Sequence, residues 1–415
     1  MRQIALITIG LLFFLNSYAQ KAIVLTVKNP TTENFNDIVV GITDQEKLAQ
    51  INKMGSAFQV KVGNESVPFQ FINHQQNKQL LVQIDLKAYE TLQLRISKID
   101  KIIPQKKLTQ AVLSVKKGGE WIWNENGYSG HPQYEYSGGE WTDVVEYHVP
   151  SKHTDHSWDI RFEGPGWESD KVGYRLYLDW RNANDIFGKK TNELVLQHVG
   201  LDGFMSYHKL CDWGSDILGV GKSLGIGSIG HWNDTIAERV SVTDSINSKI
   251  IYSGDLESKL KNEYNGWKNS YGKYTLTSAF SIRAGSYLTR CDVSISGKID
   301  NLCTGLVAVK DTELMKGEMG DWCYLATFGL QSGLNDHLGM SVFFRKSDLL
   351  KITKDLYSNV VVLQPKNNNL TYYFGAVWEL SSLHVQSKID FERYLNSELQ
   401  LLNSNLLNGQ SAAND

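Results

Sequence analysis

Residues 273–296 read KYTLTSAFSIRAGSYLTRCDVSIS. Tyr274, Leu276, Phe280 and Ile282 fall on one side of an alternating pattern, the period-two signature of a sheet with a single buried face. Runs of the same kind lie on either side: VLSVKK (112–117), YRLYLDW (174–180), ELVLQHVG (193–200), ERVSVTD (238–244), KIIYSGDL (249–256), MSVFFRK (340–346), NVVVLQP (359–365) and TYYFGAVWEL (371–380). So many short strands with turn residues between them predict an all-β protein built as a large antiparallel two-sheet sandwich over residues 106–385.

Upstream, AIVLTVKN, DIVVGI, FQVKV, PFQFI, QLLVQIDL and LQLRISKI predict a small N-terminal β-sandwich over residues 20–105. The lysine-rich stretch around Pro104 marks the boundary. Downstream, Ser387 and Asp390 form a capping-box pattern, and Phe391, Leu395, Leu399 and Leu402 follow at helical spacing. A C-terminal helix is expected over residues 386–408, then a tail at 409–415.

Residues 1–19 carry Arg2, an apolar run and Ser17-Tyr18-Ala19, which predicts a secretory signal peptide cut after Ala19. No cysteine lies at that site and no later stretch is apolar enough to span a bilayer. The expected address is periplasmic or secreted, with no membrane anchor. A formal net charge of −3 without a basic run argues against nucleic acid as a partner. Eleven Trp and nineteen Tyr are planar groups of the kind that stack on sugar rings. The four cysteines fit no zinc spacing and allow three disulfide pairings or buried free thiols. Gly225-Ile-Gly227-Ser-Ile-Gly230 satisfies GxGxxG but runs into a His-Trp-Asn-Asp turn rather than a helix, so it reads as strand or loop backbone.

Chemistry concentrates between His153 and Lys189. His153, Asp155 and His156 lie within four residues, and Glu163-Gly-Pro-Gly-Trp167-Glu168 forms a tight loop. In the alternating run that follows, Arg175, Tyr177, Asp179 and Arg181 line one face, while Tyr174, Leu176, Leu178 and Trp180 take the other. Two buried arginines require partners, so this face is either an ion-pair network or an anion-binding wall. Tyr207-His208, followed by Asp212 and Asp216, forms a second polar-aromatic knot. The paired histidines suit catalysis or substrate contact, a structural role, or a divalent metal held with Asp155.

HTDHS, FEGPGWESDKVGYRLYLDWRNANDIFGKK, GLDGFMSYHKLCDWGSDILGVGKSLGIGSIG and NLCTGLVAVKDTEL together resemble a secreted bacterial family of unknown function. That family occurs in the polysaccharide-utilisation loci of bacteria that degrade pectins and algal polysaccharides. Its ulvan-associated members are similar to oligosaccharide dehydratases, which remove water from a non-reducing-end uronic acid to leave a 4,5-unsaturated sugar. The resemblance implies an anionic oligosaccharide as substrate. Within it, Arg175 or Arg181 would neutralise the uronate carboxylate, His208 would act as base, and Tyr207 or Tyr174 as acid. His153, His156, Trp167, Glu168 and Trp180 would contact the sugar. This mechanism requires no cofactor, although a divalent metal remains compatible with it. A lyase would use the same groups. A glycoside hydrolase would use two carboxylates, Glu163 or Glu168 with Asp179, and a sugar-binding protein would need the tryptophans but not His208.

Overall fold

In the computed structural model, which describes residues 22–74 and 77–407, the alternating stretch forms the middle of a nine-stranded antiparallel sheet. Gly272–Arg283 pairs with Leu288–Ile295, with Phe280 opposite Cys291. Leu276, Phe280 and Ile282 are buried, so the pleat sends one face into the core. From edge to edge the sheet runs Glu146–His148, Ser245–Ser253, Glu257–Asn269, Gly272–Arg283, Leu288–Ile295, Asn369–Trp378, His337–Arg345, Trp322–Leu330 and Glu313–Met319.

Two five-stranded sheets complete the main body. One orders Gly214–Asp216, Asn184–Lys189, Gly173–Leu176, Gly166–Ser169 and Thr109–Val112. The other orders Ala237–Arg239, Gly230–Trp232, Leu302–Val307, Ser358–Leu363 and Leu349–Lys354. A single core joins these sheets: Trp167 stacks on Phe280 at 4.9 Å, and Tyr174 meets Phe374 edge-on at 5.4 Å. The fold is all-β and sandwich-like. Among the described residues no helix is long and apolar enough to cross a membrane; segment 1–19, expected as a signal peptide, and the tail 409–415 lie outside them. All four cysteines are free.

The N-terminal strands form a four-stranded and a three-stranded sheet around their own core of Leu25, Val60, Leu80, Val82 and Leu94. The helix Gln45–Lys53, capped by Asp44 through Lys47 N, covers them. It was not among the expected elements. The C-terminal helix is Lys388–Asn403, with the Ser387 side chain accepting from Asp390 N as the capping box requires. Its Phe391, Leu395, Leu399 and Leu402 join the main core, whereas Leu401 and Leu406 join the N-terminal one.

One expected strand is replaced by turns, and YRLYLDW and ERVSVTD are cut short, the latter ending at Arg239. In ELVLQHVG the Val195 and Leu196 amides, which a strand would offer to a neighbour, donate instead to Glu168 Oε1 at 2.7 and 2.8 Å. Val195, Leu196 and Val199 then pack on Phe162, Phe204 and Tyr207. In YRLYLDW the strand stops at Leu176 and the chain reverses, with Tyr177 N donating to Ala183 O. Residues Ser114–Asn124 and Gln133–Asp143 form a two-stranded ribbon that pairs with neither five-stranded sheet.

Leu406→Ala should cost about 2–5 kcal/mol, the usual range for a fully buried leucine. Hydrogen exchange should place the loss of protection in residues 23–98 rather than in the nine-stranded sheet.

Candidate functional site

The turn 177–182, the loop 153–163 and the loop 199–213 meet at one end of the sheet that contains Gly173–Leu176. Several residues there hold left-handed backbone without being glycine: His156 (φ 57°), Trp158 (64°), Phe162 (41°), Glu163 (67°) and Asn182 (38°). Each such conformation costs on the order of 1–3 kcal/mol and persists only where surrounding contacts fix it. Here they aim charged side chains inward. Gly164 lets this loop lie against the neighbouring strand, since a Cβ there would sit 1.8 Å from the Leu176 carbonyl oxygen.

Arg175 is at the centre and fully buried. Its Nε and Nη2 donate to Asp185 Oδ2 at 3.1 and 2.8 Å, Nη2 also reaches Asp216 Oδ2 at 2.5 Å and the Tyr177 hydroxyl, and Nη1 donates to the Tyr207 hydroxyl at 3.0 Å. Arg181 binds Asp179 through Nε and Nη2, and its Nη2 also contacts Glu163 Oε1 at 2.8 Å and Asp155 Oδ1 at 2.9 Å. Both guanidiniums face the Tyr177 ring, at 4.5 and 3.7 Å. Of the two readings of this face, the contacts are those of an ion-pair network: five carboxyl groups already occupy the two arginines.

Two histidines border this network in different ways. His156 Nδ1 lies 2.6 Å from Asp155 Oδ1, and its ring is sandwiched between Tyr128, stacked at 3.4 Å, and Phe204 at 4.8 Å. A proton on Nδ1 shared with the carboxylate leaves a lone pair on Nε2. His208 instead faces oxygen at both nitrogens, with Nδ1 2.6 Å from Phe204 O and Nε2 3.3 Å from Asp216 Oδ2. The hydrogen bond to Asp216, partly offset by burial, raises its pKa above the ordinary histidine value. Two acceptors and a raised pKa favour the imidazolium. Its side chain is 45% exposed, so the charge remains accessible. Burial, with Asp216 adding to it, pushes Asp185 up to about 6 even against Arg175. For Asp155, the His156 and Arg181 contacts outweigh burial and hold the carboxyl below its usual range.

The other expected site residues lie elsewhere. Trp167 is in the inter-sheet core with Nε1 on Thr289 Oγ1 at 2.8 Å, and the Tyr174 hydroxyl is enclosed between Tyr287 O and Ala376 N. Neither reaches a ligand surface. Glu168 is a buried structural anchor that also binds Lys189 Nζ at 2.6 Å, and so cannot pair with Asp179 in a two-carboxylate mechanism. His153 is sealed against Asp159 at 2.7 Å; burial opposes its charge, but Asp159 raises its pKa overall. Trp180 is 41% exposed and lies outside the network, beneath the Arg239 guanidinium. Asp185 and Tyr128 join the site although the sequence reading passed over them. Asp185 is the second residue of the strand Asn184–Lys189, just after an Asn-rich turn, and Tyr128 arrives from the ribbon tip.

Asp155, His156 and Glu163 offer ligand atoms within 4.8 Å of one another, the spacing of a possible metal centre. Arg181 Nη2 already bonds both of these carboxylates, so a cation there must displace the guanidinium.

Residues 27–406 match the family model described as Domain of unknown function (DUF4861). The chain belongs to this family. No curated protein matches the DUF4861 chain. Among solved structures it is similar to a protein in glycosyl hydrolase family 38 from Enterococcus faecalis, at 8% identity and a TM-score of 0.41. It is also similar to an alpha-mannosidase from Enterococcus faecalis, at 9% identity and a TM-score of 0.39. Each alignment covers 92% of the DUF4861 chain and 47% or 45% of the other protein, so the chain spans about half the length of these neighbours.

Arg175→Leu should destabilise the fold by about 3–5 kcal/mol by leaving buried carboxylates unpaired. Adding Asp185→Asn should recover part of that loss in urea melts. No recovery would mean that Arg175 acts through packing rather than charge.

Proposed function

We propose that this protein is a carbon–oxygen lyase, a dehydratase that eliminates water from the non-reducing-end uronic acid of ulvan-type oligosaccharides. The observation that carries the reading is the pair of histidine–aspartate dyads that both contact Phe204, His156 at its ring and His208 at its carbonyl oxygen, and that favour different proton positions. Elimination requires one group to accept a proton and another to donate one. The resemblance of the HTDHS-to-FGKK segment to ulvan-associated sequences supplies the substrate class.

The roles follow from the hydrogen bonds. His156, with Nδ1 committed to Asp155, accepts the C5 proton at Nε2. The released C–H electron pair forms the C4=C5 bond, the C4–O bond breaks, and the His208 imidazolium gives its Nε2 proton to the departing hydroxyl, which leaves as water. His208 is thus assigned as acid, whereas sequence alone suggested base. Tyr207, pushed far up by burial, stays a neutral phenol bound to Arg175 and positions the network. Arg181, whose side chain is 10% exposed, is the guanidinium able to exchange a protein carboxylate for the C6 carboxylate of a uronate, where charge develops during proton removal.

The test is the ultraviolet absorbance of the conjugated 4,5-unsaturated product, using saturated-end ulvan oligosaccharides from mild acid hydrolysis as substrate. His156→Ala and His208→Gln should each lower kcat by roughly 10²–10⁴-fold. Because His208 acts protonated and its pKa is raised, activity should fall as pH rises above the ordinary histidine value, and His208→Gln should lose that alkaline limb. Wild-type activity in both variants would remove the dyads from the mechanism. Saturated products would instead indicate hydrolysis.

A further inference from the structure

The Ser114–Asn124 and Gln133–Asp143 ribbon carries an array of aromatic rings that the core does not use. Trp123 pairs across the strands with Tyr134, and Trp121 with Tyr136, so all four side chains share one ribbon face. The pairs meet edge to face at 5.0 and 5.3 Å. Trp123 is 48% exposed and Tyr134 37%. Folding gains little from rings left this open, and an exposed apolar patch of this kind marks a binding surface.

The array is held in place. Trp123 Nε1 donates to Glu125 Oε1 at 2.8 Å, and the Tyr136 hydroxyl donates to Gly119 O at 3.0 Å. Lys152 Nζ lies 4.2 Å over the Tyr134 ring. Fixed rings lose little freedom on binding. Along each strand the rings are two residues apart, about 7 Å, so together they offer a surface longer than a single sugar ring. The platform and the Asp155–His156 dyad also share a support. Tyr136 N donates to Ser157 O at 2.7 Å, Gln133 Nε2 to Asp155 O at 3.2 Å, and Tyr128 at the tip stacks on His156. Lys152 lies in the same loop as Asp155 and His156.

We propose that this ribbon face is a distal subsite that holds the body of an anionic oligosaccharide while its terminal uronate occupies the dyads. Trp121, Trp123, Tyr134 and Tyr136 stack on the sugar rings, and Lys152 pairs with a carboxylate or sulfate on the chain. The proposal rests on the elimination reading for the terminal sugar but requires only glycan binding for itself.

Affinity electrophoresis in gels containing ulvan or polygalacturonate tests it directly. Wild type should be retarded, and Trp121→Ala/Trp123→Ala should weaken apparent affinity roughly tenfold, given about 0.5–1.5 kcal/mol per aromatic contact. Lys152→Glu should weaken it as well, and ulvan over polygalacturonate as the better ligand would identify sulfate as the group it meets. Trp123→Ala alone, at an exposed position, guards against misfolding, and circular dichroism should match wild type. On substrates, the ratio of kcat/KM for a hexasaccharide to that for a disaccharide should fall in the tryptophan variants. Unchanged retardation and an unchanged ratio would overturn the platform even if elimination is observed, as would a wild-type dimer that Trp123→Ala dissociates. Retardation lost in the tryptophan variants but kept in a protein that eliminates nothing would support the platform and sink the elimination reading.

Discussion

Arg175 holds together side chains from four separate segments: Tyr177 after its own strand, Asp185 from the next one, Tyr207 from the long loop and Asp216 from the edge strand. A buried guanidinium is tolerated only when its donors are met with good geometry, so these four groups are fixed relative to one another. The loop 199–213 is thereby pinned to the sheet, and His208 can occupy a defined position at its rim. Glu163, 3.8 Å from Arg175 and bonded to Arg181, extends the constraint to the strained loop bearing His156.

The network carries more acidic than basic groups. Asp155, Glu163, Asp179, Asp185 and Asp216 supply five carboxyl groups against two guanidiniums. Its members respond according to their own surroundings: burial and then Asp216 raise Asp185, the bond to Asp216 raises His208, and the His156 and Arg181 contacts lower Asp155. Such a site is better suited to moving a proton than to attracting an anion from solution. Attraction of an anion requires charge that is not already committed, which Lys152 on the ribbon side can supply.

The fold was legible where one interaction dominates. The alternation at 274–282 and the Ser387 cap with its apolar stripe each specify an element through local physics, and both are present. Legibility failed where a side chain replaced a backbone partner: nothing in ELVLQHVG reveals that Glu168, far back in the chain, takes its amides. For the site, pattern grouped Arg175, Tyr177, Asp179 and Arg181 correctly even though the strand ends after Arg175 and Leu176, because the turn keeps them converging. Trp167 and Tyr174 were misread because aromatic rings with a polar edge suit a sugar and a satisfied core position equally well. Whether an arginine faces a ligand or an aspartate depends on contacts distant in sequence, which no local pattern encodes.

The path of the C-terminal segment bears on the order in which the chain can fold. Leu401 and Leu406 complete the core formed by residues 23–98, and Gly41 N donates to Leu406 O at 3.0 Å. The sheets of residues 23–98 therefore lack part of their interior until residues 401–406 have been made. Early collapse of the N-terminal strands leaves an apolar gap that Leu401, on the helix, and Leu406, just past it, later fill. Final packing of residues 23–98 is thus coupled to the synthesis and docking of a segment more than three hundred residues downstream.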